Sequence, residues 1–257
     1  MARKGRPFRS VLVPLDGSPV AEQSIPLALE ITRAAGSKMR LVLVHQSLLP
    51  SLDSANAGFG SIDLAVRKAE REYLTGLAGR LRESPGPQVS SVILDGRAGP
   101  ALVEYVPEIG ADLVAMTTHG HGGPRGPWLG SVVDHLIRRL EVPVMVVRAR
   151  EGPDRTVPSP KIQKILVPLD GSPLAEAALA PASALAGLFD AELLLVQVVR
   201  PFSAGSLLPV AFAAGYDAEE MALRRKETQG YLDDLAEGLR GRGLRATGAV
   251  VVGHKVV

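Results

Sequence analysis

At 257 residues with 46% hydrophobic content, the chain is long enough to bury one large core or two of ordinary size, and it reads as globular rather than disordered. Its 29 lysines and arginines against 27 aspartates and glutamates leave a formal charge of +2, no electrostatic footprint for nucleic acid, and the lack of cysteine excludes disulfides, thiolate nucleophiles and cysteine-based metal centres. No apolar stretch follows the basic start MARKGR as in a secretory leader, and no uncharged run reaches the roughly 18 to 20 residues of a membrane span, so a cytoplasmic location without membrane contact is expected.

The first apolar run, at 11–15, ends in the turn DGSP and is followed by an alanine-bearing helical stretch and a second strand, LVLVHQ at 41–46. A charged helical stretch with Tyr73 and Leu74 leads to the strand SSVILDG at 90–96, and AGPALVEYVPEIG then reads as a short helix. The strand at 112–117 runs into MTTHGHGGPRGPWLGS, 116–131, which holds five glycines, two prolines and two histidines. A helix is expected from Gly130 and Ser131 and a last strand in VPVMVV. Residues 149–162 are charged and proline-bearing without periodicity, an exposed linker.

Beyond it the chain repeats itself. LVPLDGSP, at 12–19, recurs unchanged at 166–173, LLLVQV (193–198) answers LVLVHQ, Tyr231 and Leu232 answer Tyr73 and Leu74, and GAVVVG (248–253) answers the third strand. On this matching Asp170 and Val198 stand for Asp16 and Gln46. The glycine stretch, its helix and the last strand have no counterpart, so the expected organisation is a complete domain at 9–148, a linker, and a partial domain at 163–257. Apolar runs alternating with helical stretches argue for an open parallel α/β sheet with helices on both faces, duplicated. Ligands in such sheets settle at the carboxyl ends of the strands where the strand order reverses, which would make Asp16 and the glycine stretch neighbours.

A glycine-rich loop entering a helix start offers unpaired N–H groups and the positive end of the helix dipole, a setting for phosphate. The stretch is neither a Walker A loop, since no GK[ST] follows, nor a GxGxxG turn. The plainer reading is loop punctuation, with Ser131 as N-cap and Asp134 completing a capping box. Turn formation likewise accounts for Asp16, solvation for His119 and His121, and packing for Trp128. The residues alone leave both readings open.

The strand and turn around LVPLDGS, LVLVHQ, and above all THGHGGPRGPWLGSVVDHLIRRLEVPVMVV resemble the universal stress protein family in its tandem form. The family's nucleotide pattern GxxGx9G[ST] falls on 117–131, where Gly120, nine intervening residues, Gly130 and Ser131 match and Thr117 replaces the first glycine. The resemblance implies a five-stranded parallel sheet in the order 3-2-1-4-5 and bound ATP; Mg2+ is expected with it because triphosphates are normally bound with that ion. Pro14, Leu15 and Asp16 would lie against the adenosine, Gln46 would line the adenine pocket, and Gly120, Gly123, Gly130 and Ser131 would contact ribose and phosphates, with Thr117 beside them. It also implies a homo-oligomer joined through the 143–148 strand. Three functions follow: a regulatory ATP-binding protein of the stress response, a slow ATPase, or a structural member whose pocket Thr117 closes. No catalytic residue or metal ligand is assigned.

Overall fold

Short runs dense in Val, Leu and Ile, each closed by a polar or glycine-bearing turn, form two separate parallel sheets. The computed structural model describes residues 7–47, 57–83, 87–120, 129–149, 161–200 and 210–253. The chain divides into two compact units, 1–160 and 161–257. The residues read as a linker lie almost wholly outside the described residues, as do His121, Gly123 and Trp128.

The first unit runs β1 (Ser10–Leu15), a 3-10 turn (Ala21–Ser24), α1 (Ile25–Ala35), β2 (Lys38–His45), α2 (Ala57–Glu83), β3 (Gln88–Asp95), α3 (Ala98–Glu108), β4 (Leu113–Thr117), α4 (Ser131–Arg139) and β5 (Val144–Val147). Its strands are all parallel and lie in the order β3-β2-β1-β4-β5, as expected. The order reverses between β1 and β4, and this pair is joined only over Val11 and Leu12. Pro14 and Leu15 fall beyond that pairing, and the carboxyl ends of these two strands mark the switch point at which open sheets of this kind form a crevice.

Successive strand residues point to opposite faces. On one face Leu12, Val42 and Val114 meet Leu102 and Val106 of α3 and Val133 and Leu136 of α4. On the other, α1 and α2 lie against β1 and β2 and bury Ile31 and Leu74. Each such side chain taken out of water contributes about 1.5–3 kcal/mol.

The second unit runs β6 (Lys164–Leu169), α5 (Pro173–Glu176), α6 (Leu179–Phe189), β7 (Glu192–Val199), α7 (Val210–Arg240) and β8 (Arg245–Val252), with the sheet order β6-β7-β8. It is a smaller, incomplete copy of the first. Helices α6 and α7 bury Leu193, Leu195, Leu232 and Leu239 on one face. Gly248 permits β8 to approach α7 closely, since an added Cβ there would stand 2.7 Å from that of Leu232. The opposite face keeps Leu166 at 58% exposure, whereas Leu12, its equivalent, is fully buried beneath α3 and α4.

Strand register corrects one matching between the repeats. Leu15 pairs with Leu43 and Leu169 with Gln197, so Gln197 is the counterpart of Leu43, and Gln46 corresponds to Arg200 rather than to Val198. His45 corresponds to Val199.

Candidate functional site

The two DGSP turns fold alike. Asp16 Oδ1 accepts the N–H of Ser18 at 3.0 Å, and Asp170 Oδ1 accepts that of Ser172 at 2.9 Å. Between them Gly17 and Gly171 take φ values of +80 and +81°, a conformation that a side chain disfavours. Each serine hydroxyl then accepts an N–H from the following helical turn, Ala21 or Ala175, at 3.1 Å. Turn chemistry therefore accounts for the aspartate in both repeats. The difference lies in what stands opposite.

In the first unit Gly120 lies against Asp16, so close that an added Cβ would strike Oδ2. Thr117, the last residue of β4, is 5% exposed and donates its hydroxyl proton to the His119 carbonyl at 2.7 Å, which folds the chain back as it leaves the strand. Thr118 holds both sides of this turn: its N–H donates to the Val147 carbonyl, and its own carbonyl accepts the N–H of Gly130 at 2.9 Å. A Cβ on Gly130 would come within 3.1 Å of that same carbonyl. The two ends of the glycine stretch are thus fastened to each other beside β4, with Asp16 across the crevice. His119 Nε2 is buried and has no hydrogen-bond partner among the described residues.

Two expectations about the helix start are corrected. The N-cap of α4 is Gly130, not Ser131, and no side chain caps it. Asp134 does not reach back to form a capping box but binds Arg138 Nε at 3.0 Å, one helical turn on, and this bond holds its carboxyl below the ordinary carboxylate range. The Gly130 N–H, spent on Thr118, is also not a donor to a ligand. The N–H groups of Ser131, Val132 and Val133 precede the first intrahelical bond, from Asp134 to Gly130, and belong to the positive end of the helix dipole. Of the remaining candidates, Pro14 and Leu15 are buried at the end of β1, and Gln46 is exposed just past β2.

Sequence reasoning missed a charged cluster at the carboxyl end of β2, the strand paired with β1. His45, the last residue of β2, has Nδ1 at 2.7 Å from Glu70 Oε2 and Nε2 at 3.3 Å from Asp63 Oδ2, both on α2. Arg67, on the same helix, pairs with Asp95 at the end of β3 at 2.7 Å. The signal was present in the spacing of Asp63, Arg67 and Glu70, which is i, i+4, i+7 and places them on one helix face. A second feature is duplicated: Tyr73 donates to Glu22 at 2.9 Å, and Tyr231 to Glu176 at 2.8 Å. Burial and the glutamate push Tyr231 up to about 12.

The model of the universal stress protein family matches residues 7–148 and 161–256. The chain belongs to that family. A universal stress protein of Mycobacterium tuberculosis is 32% identical over 139 residues, which cover 54% of this chain and 45% of that protein. One from Methanocaldococcus jannaschii is 24% identical over 141 residues, covering 55% of this chain and 82% of its own. The chain thus spans about half the length of the mycobacterial universal stress proteins it matches. Among solved structures, a universal stress protein from Archaeoglobus fulgidus covers 95% of this chain and 77% of its own, with a TM-score of 0.63 and 19% identity, a likeness of fold. Among the described residues no helix is long and apolar enough to cross a membrane, and no group of three His, Asp or Glu residues is placed to hold a metal ion.

Proposed function

We propose that the first unit binds ATP and that the protein serves in the stress response as a regulatory nucleotide-binding protein of the cytoplasm. The observation that carries this reading is the approach of Gly120 to Asp16 across the crevice, above an α4 start that no side chain caps. The second unit repeats the Asp170 turn, but its described elements include no counterpart of β4, Gly120 and α4. In this reading Pro14, Leu15 and Asp16 lie against the adenosine and Gln46 beside the adenine. Gly120 and Gly123 leave room for the ribose and phosphates, and Ser131 supplies an N–H and a hydroxyl. Gly130 contributes the absence of a side chain. Thr117 is compatible with the pocket because its hydroxyl is already engaged within the turn. The buried His119 nitrogen supplies one more group for a polar ligand to satisfy. Magnesium would arrive with the triphosphate and supply charge neutralisation there.

The test is to purify the protein without added nucleotide, denature it, and identify what is released by chromatography and mass spectrometry. About one ATP per chain is expected, or, if the protein is isolated empty, a rise in melting temperature on adding ATP and magnesium, because a ligand bound only to the folded state stabilises it. Neither release nor shift would overturn the reading.

The same fold suggests self-association. β5 is an edge strand of the first sheet, and Ile137 on the adjoining α4 is 47% exposed. An apolar strand with a free edge is a template for pairing, and a symmetric pair of such edges closes on itself. A homodimer or larger oligomer through residues 143–148 is therefore expected in sedimentation at micromolar concentration, and a monomer there would count against it.

A further inference from the structure

The cluster around His45 lies outside the nucleotide reading. Its ring is 3% exposed, and both nitrogens face carboxylates of α2, Glu70 at 2.7 Å and Asp63 at 3.3 Å. A neutral imidazole has one N–H and one acceptor nitrogen, and an ionised carboxylate only accepts, so both contacts are satisfied only by the imidazolium. The charged groups presented to the ring are Glu70 and Asp63 from α2. Beside them is the Arg67–Asp95 pair, whose Asp95 is the register partner of His45 on β3.

The second unit is an internal control. It retains the fixed points of the long helix: Tyr231 on Glu176 answers Tyr73 on Glu22, and Arg240 on the Ala246 carbonyl answers Arg82 on that of Val89. Counting along the helices from these points puts Met221 and Thr228 where the first unit has Asp63 and Glu70. Strand register puts Val199 and Val252 where it has His45 and Asp95. The same helix is held on the same kind of sheet without these ionisable groups, so the cluster is not a requirement of the architecture.

We propose that His45 is a protonation-dependent latch: as an imidazolium it holds the segment of α2 around Asp63 and Glu70 on the carboxyl edge of the first sheet, and on losing its proton it lets that segment lift. The residue that follows, Gln46, is exposed just past the carboxyl end of β2, so the latch sets access to that edge whether or not a nucleotide binds there.

Burial lowers the proton affinity of His45, but the hydrogen bonds and charges of Glu70 and Asp63 outweigh it and raise the pKa above 6.5. The docked helix therefore binds the proton more tightly than the lifted one. The added stability is complete below pH 6.5 and is lost as pH rises through the raised value, with a slope of at most about tenfold in the docking constant per pH unit for one proton.

Hydrogen exchange of the full chain between about pH 6 and 9, corrected for intrinsic rates, tests this. Protection of residues 61–72 is expected to fall with rising pH at up to about tenfold per unit, while residues 219–230 of α7 stay level. His45→Val, which copies the second unit, is expected to leave 61–72 level too. Should that variant misfold by circular dichroism, Glu70→Gln carries the test, since removing one carboxylate must move the midpoint to lower pH. A level response in the native chain, a response that persists in folded His45→Val, or an unmoved midpoint in Glu70→Gln overturns the latch.

Discussion

Gly130→Asp is expected to leave the protein folded and to lower its affinity for ATP by about a hundredfold or more. Gly130 is the N-cap of α4, with φ −61° and ψ 154°, a conformation open to any residue. Aspartate is among the best N-caps and places its charge at the positive end of the helix dipole, worth up to about 1 kcal/mol. Against this stands the approach of its Cβ to the Thr118 carbonyl, 3.1 Å, which requires a shift of a few tenths of an ångström and costs about as much. Folding is thus nearly balanced. Binding is not, because a carboxylate set about 4 Å from a phosphate oxygen repels it by about 4 kcal/mol at the effective dielectric of a protein surface, and it occupies the donors the phosphate would use. Isothermal titration with ATP and magnesium, beside thermal melts of both proteins, separates the two effects. Unchanged affinity would show that phosphates do not sit at α4.

Leu195→Ala is expected to cost about 2–5 kcal/mol and to unfold the second unit selectively. Leu195 lies at the centre of β7, the middle strand of the smaller sheet, fully buried in the core formed with α6 and α7. A unit built on a three-stranded sheet has little margin, since the net stability of even a whole domain is only about 5–15 kcal/mol. The first unit has its own core around Leu12 and Leu136 and is expected to stay intact. Limited proteolysis read by mass spectrometry checks this: cleavage should appear within 161–253 while 7–149 remains protected. Equal loss of protection in both units would show that the smaller sheet does not unfold independently.

The sequence by itself determined the strands, the duplication and the place of the turns. Runs such as VLVPL and LVLVH announce buried parallel strands through local composition alone, and DGS fixes the same turn twice because its hydrogen bonds close within a few residues. The strand order was legible only through the resemblance to the family, and the meeting of Asp16 with the glycine stretch only through the general rule for open α/β sheets. Register was not legible: LVLVHQ and LLLVQV match well at a slip of two residues, because such a slip keeps every side chain on its own face, and only pairing with β1 and β6 chose between the alternatives. The N-cap of α4 was misplaced by one residue for a similar reason. Ser131 has the chemistry of a cap, but the bond from Gly130 to Thr118 decides where the helix begins. His45 gave no sign of its partners, since a histidine ending an apolar strand is silent about which helix will cover it. Its pairing with Glu70 and Asp63 depends on how α2 lies across the sheet. Local hydrogen bonding and side-chain period act over a few residues and are written in the chain, whereas charge pairing and register compare alternatives of nearly equal local energy, and the tertiary packing selects among them.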